Sequence, residues 1–168
     1  MRIFLIGYMG SGKTTLGNLL ALTVKYKFID LDKYIENKTN KSIAKIFEEN
    51  GENYFRDIEK KYLHEACDTD NIIISTGGGT PCFFDNIDFM NKNGISIYLK
   101  VKPEVLITRL KNEKNKRPLI KDKSDEELLI FINEMLNKRE LYYNKATYII
   151  NGETPNINSI INLLNIES

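Results

Sequence analysis

Apolar residues follow two rhythms along this chain. Short continuous runs, RIFLIG at 2–7, NIIIST at 71–76 and ISIYLKV at 95–101, have the pattern of strands buried on both faces of a parallel sheet. YKFIDLD at 26–32 reads as a further strand ending in acids, and ATYIIN at 146–151 as a fifth. Between the runs the period changes. Leu16, Leu19, Leu20 and Val24 recur at helical spacing over 13–25. KYIENK and SIAKIFEENG read as short helices, the second with Ser42 as N-cap and Gly51 as stop. ENYFRDIEKKYLHEAC is a longer helix, and NIDFMNKN is helical up to Gly94. PEVLITRLKN opens a helix with Pro103 at its first position. SDEELLIFINEMLNKRELYY has Ser124 and Glu127 in capping-box spacing. Thr154 and Pro155 are expected to start a last helix. Residues 111–123, KNEKNKRPLIKDK, are charged, are interrupted by Pro118 and carry only Leu119 and Ile120 as apolar residues, so a mobile loop is expected there.

Strands and helices therefore alternate throughout. This predicts an α/β domain of three layers, α/β/α, around a five-stranded parallel sheet covered on both faces. Ligands in such sheets bind beyond the carboxyl ends of the strands. Three strands run into chemically loaded segments, Gly7–Thr14, Asp30–Asp32 and Gly77–Gly79, which should converge on one edge.

Composition narrows the classes. The 168 residues suit one domain, and 42% hydrophobic with 28% charged residues is ordinary for a soluble globular protein. A net charge of +1 gives no footprint for nucleic acid or a membrane surface. Cys67 and Cys82, too far apart for a CxxC pair, read as reduced thiols. The first apolar run is too short to span a membrane and flows into glycines, so it reads as a strand and not a signal peptide, and the cytoplasm is the expected compartment. No coiled-coil heptads occur, and a monomer is expected.

GYMGSGKT fits G-x-x-x-x-G-K-[ST] at Gly7, Gly12, Lys13 and Thr14, with a strand before it and a helix after it. Such a loop curls its N–H groups inward as an anion nest, and the following helix adds its positive end. Lys13 is a compact cation for the β- and γ-phosphates of a nucleotide, and the Thr14 hydroxyl a hard oxygen ligand for Mg²⁺. This makes the fold P-loop NTPase-type. No Asp is followed three residues later by Gly, and no Asn-Lys-x-Asp occurs, which argues against a signalling GTPase. No apolar run ends in Asp-Glu as in a large ATPase motor. A small kinase remains, and it needs an acceptor site beside the γ-phosphate.

The remaining candidates each have a plainer reading. Asp30 and Asp32, at the mouth of the second strand, can divide between metal and acceptor hydroxyl, or be turn-forming acids. Arg56, one turn into a helix where cations are disfavoured, calls for a fixed anion or is satisfied by Glu59 alone. The triple glycine of STGGGTP lets backbone approach a ligand closely, or is a loop. Arg117 in the charged loop can swing onto the transferring phosphoryl group, or lie in solvent. Arg139 is a second carboxylate ligand or a surface arginine. His64, the single histidine, has no catalytic role and reads as a surface or packing residue; Phe83, Phe84, Tyr142 and Tyr143 read as core.

Taken in order, GYMGSGKTTLG, FIDLDKYIE, SIAKIFEENGENYFRDIE, STGGG, RPLI and KRELYYNKA resemble the shikimate kinase family over residues 1–150. The resemblance implies ATP-dependent phosphorylation of the 3-hydroxyl of shikimate, with Mg²⁺. By position it implies that Gly10, Ser11, Gly12, Lys13, Thr14 and Thr15 hold the phosphates and that Thr14 and Asp30 serve the metal. It makes Asp32 the partner of the substrate diol and candidate base. Arg56 and Arg139 would clamp the carboxylate, the Gly78 backbone would meet a hydroxyl, and Phe55 would line the pocket. Arg117 becomes the lid residue touching phosphoryl group and substrate. The family also implies an acceptor-binding segment at 31–60 and a lid at 111–123. Its adenine-stacking arginine has Arg109 as nearest counterpart, one residue farther from Arg117 than usual. The rivals are a gluconate-type kinase, a nucleoside monophosphate kinase and a nucleotide-binding module without catalysis.

Overall fold

The computed structural model describes residues 1–111, 124–151 and 155–166. Five parallel strands, β1 (Arg2–Ile6), β2 (Lys27–Asp30), β3 (Ile72–Ser75), β4 (Ile95–Lys100) and β5 (Tyr148–Asn151), lie in the order β2-β3-β1-β4-β5. The central β1 is the P-loop strand, and the chain builds first to one side of it and then to the other. The crevice beyond its carboxyl end lies where the strand order switches, which is where such sheets bind ligands.

Alternate side chains divide β1 to β4 between two cores. Ile3, Leu5, Ile73, Ile97 and Leu99 point to the face covered by α1 (Lys13–Val24) and α7 (Ile157–Leu164). Phe4, Ile6, Ile72, Ile74 and Tyr98 point to the other face. That face packs α2 (Leu31–Thr39), α3 (Ile43–Ala66), α4 (Asn86–Asn93), α5 (Pro103–Lys111) and α6 (Asp125–Tyr143). This is the three-layer architecture expected from the alternation. No helix among the described residues is long and apolar enough to cross a membrane.

Several boundaries differ from the sequence reading, each for a local reason. β2 stops at Asp30, whose side chain accepts from the Lys33 N–H at 3.3 Å and caps α2. Asp32 therefore stands in the first turn of a helix and not on a strand. Gly51, by contrast, does act as the stop the sequence suggests: it adopts φ 79°, ψ 175° and breaks the helical path inside α3, so that the two expected helices meet there at a kink. A 3₁₀ turn at Thr80–Cys82 follows the triple glycine and carried no periodic signal. The last helix begins at Ile157, where Asn156 accepts from Asn158 N and Ser159 N, two residues after Pro155; Thr154 lies outside the described residues. Phe84 is 55% exposed rather than core, whereas Tyr143 is fully buried. His64 is a packing residue, stacked on Phe89 at 3.7 Å between ring centroids.

The α4–β4 turn packs tightly against the start of β1, where Arg2 Nη1 also donates to the Asn93 carbonyl oxygen at 3.5 Å. A Cβ on Gly94 would collide with the Arg2 carbonyl oxygen and lie 2.9 Å from Phe4 Cε2. Gly94→Ala should therefore destabilise the fold by about 1–3 kcal/mol, seen as a lower urea midpoint at unchanged slope.

Candidate active site

The P-loop leaves β1 at Gly7 and returns as α1. Gly10 and Gly12 have φ of 79° and 94°, conformations that side chains disfavour. α1 has no acidic residue in its first turn, so its positive end is left for an anion. The loop closes on its own lysine. Lys13 Nζ donates to the Gly7 and Tyr8 carbonyl oxygens at 2.9 Å each and to Ser11 Oγ at 3.4 Å. Lys13 and Ser11 are buried, Thr15 exposed. Arg109, from α5, donates to the Gly10 carbonyl oxygen at 3.0 Å, so it packs on the loop itself.

One turn into the site, Thr14 Oγ1 donates to Asp30 Oδ2 at 2.8 Å and lies 3.4 Å from Ser75 Oγ. Strand register explains the meeting, because Asp30 pairs with Ser75 across β2 and β3. Two hydroxyls and a carboxylate form a hard oxygen set. That fits Mg²⁺, which takes few protein ligands and completes its shell with phosphate and water. Ser75 had no signal of its own in the sequence; only its place opposite Asp30 brings it here.

The acceptor side is built from α2, α3, the triple glycine and α6. Asp32 Oδ1 abuts Gly77, where a Cβ would be only 3.0 Å away. Burial, reinforced by the negative charges of Glu59 and Asp30, raises the Asp32 carboxyl to about 6, with Lys13 opposing the shift. Arg56 Nη1 donates to Glu59 Oε2 at 2.9 Å, and its Nε and Nη2 donate to Glu52 Oε1 at 3.2 and 3.0 Å. Glu59 is fully buried and also accepts from Thr80 Oγ1 at 2.6 Å. Its charge is thus compensated by an ion pair and a hydroxyl, as a buried carboxylate requires.

Arg139 approaches from α6. Its guanidinium lies 5.4 Å from the Tyr8 ring, and Nη1 would be 3.1 Å from a Cβ on Gly78. Among the described residues no carboxylate pairs with Arg139. The Tyr143 hydroxyl donates to the Gly78 carbonyl oxygen at 2.5 Å, tying α6 to the triple glycine. Burial pushes that phenol far above its ordinary range. Phe55, buried at 4%, packs on Phe47 with ring centroids 4.7 Å apart.

Both ends open into a single cavity of ≈ 990 Å³. Gly10 to Thr15, Asp30, Asp32, Phe55, Arg56, Gly78 and Arg139 all line it. Arg117 and residues 112–123 of the expected lid lie outside the described residues. Met9, Phe47 and Ser75, not among the candidates, also form the wall, as does Glu59, which the sequence offers only as a neighbour of Arg56. For Glu59 the i+3 spacing to Arg56 is a usable signal; Met9 and Ser75 lie inside the GYMGSGKT and STGGGTP segments, and Phe47 has none.

Comparison with known proteins places this geometry. The shikimate kinase family model matches residues 9–165. A shikimate kinase of Phocaeicola vulgatus is 50% identical over 152 residues, 90% of this chain and 87% of that protein. The crystal structure of shikimate kinase from Bacteroides thetaiotaomicron superposes with a TM-score of 0.94 at 44% identity, covering 98% of each chain. Shikimate kinase from Acinetobacter baumannii, solved in complex with shikimate, gives 0.84 at 34% identity, covering 97% of this chain and 89% of that one. With the family model spanning nearly the whole sequence and the fold shared end to end, the chain belongs to the shikimate kinase family.

Proposed function

We propose that this chain transfers the γ-phosphoryl group of ATP to the 3-hydroxyl of shikimate, giving shikimate 3-phosphate on the route to aromatic amino acids. One observation carries the reading beyond family membership. Two arginines and a half-buried aspartate face the P-loop across one cavity, and that set matches a small hydroxylated acid better than a nucleotide or a neutral sugar.

The roles follow from chemistry and position. Gly10, Ser11, Gly12 and Thr15 with Lys13 cradle the phosphates, and Lys13 moves from its own loop carbonyls to phosphate oxygens. Thr14 and Asp30 hold the Mg²⁺ of MgATP, which when bound neutralises charge on the phosphates. Arg56 and Arg139 grip the carboxylate. Asp32 accepts from the acceptor hydroxyl and orients it, and it takes the proton late, because phosphoryl transfer demands positioning more than base strength. The Gly78 backbone meets a second hydroxyl, and Phe55 walls the ring. In this reading residues 1–168 form one kinase unit, with 31–60 as its acceptor-binding segment, acting as a monomer.

The direct test is ADP release from MgATP by the purified protein with shikimate, gluconate, each nucleoside monophosphate, or no acceptor. Release with shikimate alone is expected; release with another acceptor instead would overturn the arginine clamp. Arg139→Ala should raise the shikimate KM by about 10- to 100-fold while leaving the ATP KM in place. Equal losses for both substrates would remove Arg139 from the clamp.

The raised Asp32 carboxyl sets a pH window. Its folded-state value, about 6, lies above the ordinary 3.8, so the fold favours the protonated form and the ionised form is available only as pH rises through 6. The pH profile of kcat/KM for shikimate should fall below an acid limb near this value. Asp32→Asn should lower turnover and abolish that limb; an unchanged limb in the variant would assign it to another group.

A further inference from the structure

Arg56 is held by its face as well as its edges. The guanidinium carbon lies 4.0 Å from the centroid of the Phe83 ring, closer than Phe55 at 5.1 Å. A Cβ on Gly79 would sit 2.8 Å from both terminal nitrogens, so backbone closes in beside them. Among the described residues, Glu52 and Glu59 take three bonds from the guanidinium. A guanidinium has five N–H donors, which leaves one on each terminal nitrogen, a pair that a carboxylate can take in two bonds. The side chain is only 11% exposed yet lines the cavity. Phe83 is not among the residues lining that cavity.

The backbone that delivers Phe83 is unusual. After the triple glycine, Thr80 N donates to the Gly77 carbonyl at 3.2 Å and Cys82 N to the Gly79 carbonyl at 2.8 Å, making the 3₁₀ turn. Phe84 then adopts φ 52°, a left-handed conformation that a bulky residue enters at a cost. That cost does not serve to bury Phe84, whose side chain stays in solvent with the Lys60 ammonium 5.2 Å from its ring. Lys60 also pairs with Asp85 at 2.5 Å, anchoring the turn to α3, the helix that carries Arg56. What the strained turn accomplishes is the inward placement of Phe83 on the guanidinium.

We propose that Phe83 is a positioning residue for the acceptor carboxylate. Its ring fixes the plane of Arg56 so that the two remaining N–H donors are presented to the cavity before the acceptor arrives. A free arginine side chain would lose rotamer freedom on binding; one already stacked loses less, and the affinity gain appears without any contact between Phe83 and the ligand. The proposal rests on the reading that Arg56 takes the carboxylate.

The test uses the full chain with Phe83→Leu, Phe83→Met and Phe83→Tyr. Phe83→Leu should raise the shikimate KM by roughly fivefold to thirtyfold, leave the MgATP KM unchanged, and be rescued by Phe83→Tyr, which keeps the ring. Binding of shikimate methyl ester, which lacks the anionic carboxylate, should be the same in all three variants and wild type. Phe83→Met, whose flexible unbranched chain can refill the space without a ring, gives the same reading where Phe83→Leu lowers the melting temperature. An unchanged shikimate KM, or equal weakening of acid and ester, would overturn the role of Phe83. A wild-type protein that does not prefer the acid to the ester would instead overturn the Arg56 reading beneath it.

Discussion

Because β2, β3 and β1 pair in parallel register, Asp30, Ser75 and Leu5 lie level, and the segments that follow them leave the sheet at one edge. Each segment then does something different with the same starting point. After β1 the chain closes an anion loop on Lys13, after β2 it turns into a helix that raises Asp32, and after β3 it runs through three glycines. A slip of one residue in either pairing would turn Asp30 or Ser75 to the opposite face and separate them from Thr14. The phosphate site and the acceptor site are neighbours because the ladder makes them so.

The cavity built on that edge is charged on both sides, and its charges depend on one another. Asp32 is disfavoured as an anion by burial and by Glu59 and Asp30, and Lys13 relieves part of that. Glu59 in turn is tolerated because Arg56 and Thr80 satisfy it. Arg139 differs, lying against Tyr8 and beside Gly78 with no carboxylate paired to it among the described residues. The two arginines thus differ in setting, one held by its own acids and the other lying against an aromatic ring and a glycine. Tyr143 links the two halves by fastening the helix of Arg139 to the Gly78 carbonyl.

The glycines after β3 serve packing as much as flexibility. None of the three has a left-handed backbone. Their value is space, since a Cβ on Gly77 would press on Asp32 and Glu59, on Gly78 against Arg139, and on Gly79 into Arg56. Every polar group that defines the acceptor pocket approaches this stretch of bare backbone, so the pocket is shaped by side chains around a strip that has none.

The strands, most of the helices and the phosphate grip were legible in the chain because they are local. Continuous apolar runs, helical spacing, the Ser124–Glu127 capping box and the G-x-x-x-x-G-K-[ST] loop each state their structure within a few residues. The named acceptor residues were legible as candidates through the resemblance, but that they line one cavity is visible only in three dimensions. Arg56 is both partnered by Glu59 and turned to the cavity, a combination that i+3 spacing does not reveal. Ser75 joins Thr14 through register, Phe83 reaches Arg56 through a left-handed turn at Phe84, and Asp32 moves from a strand end to a helix because Asp30 caps α2. By itself the sequence determined the alternating elements and the nucleotide loop, since those depend on neighbours along the chain. Which side chains meet across the cavity was decided by tertiary structure alone, because pairings between distant segments are set by strand register and packing, and neither is written in any one segment.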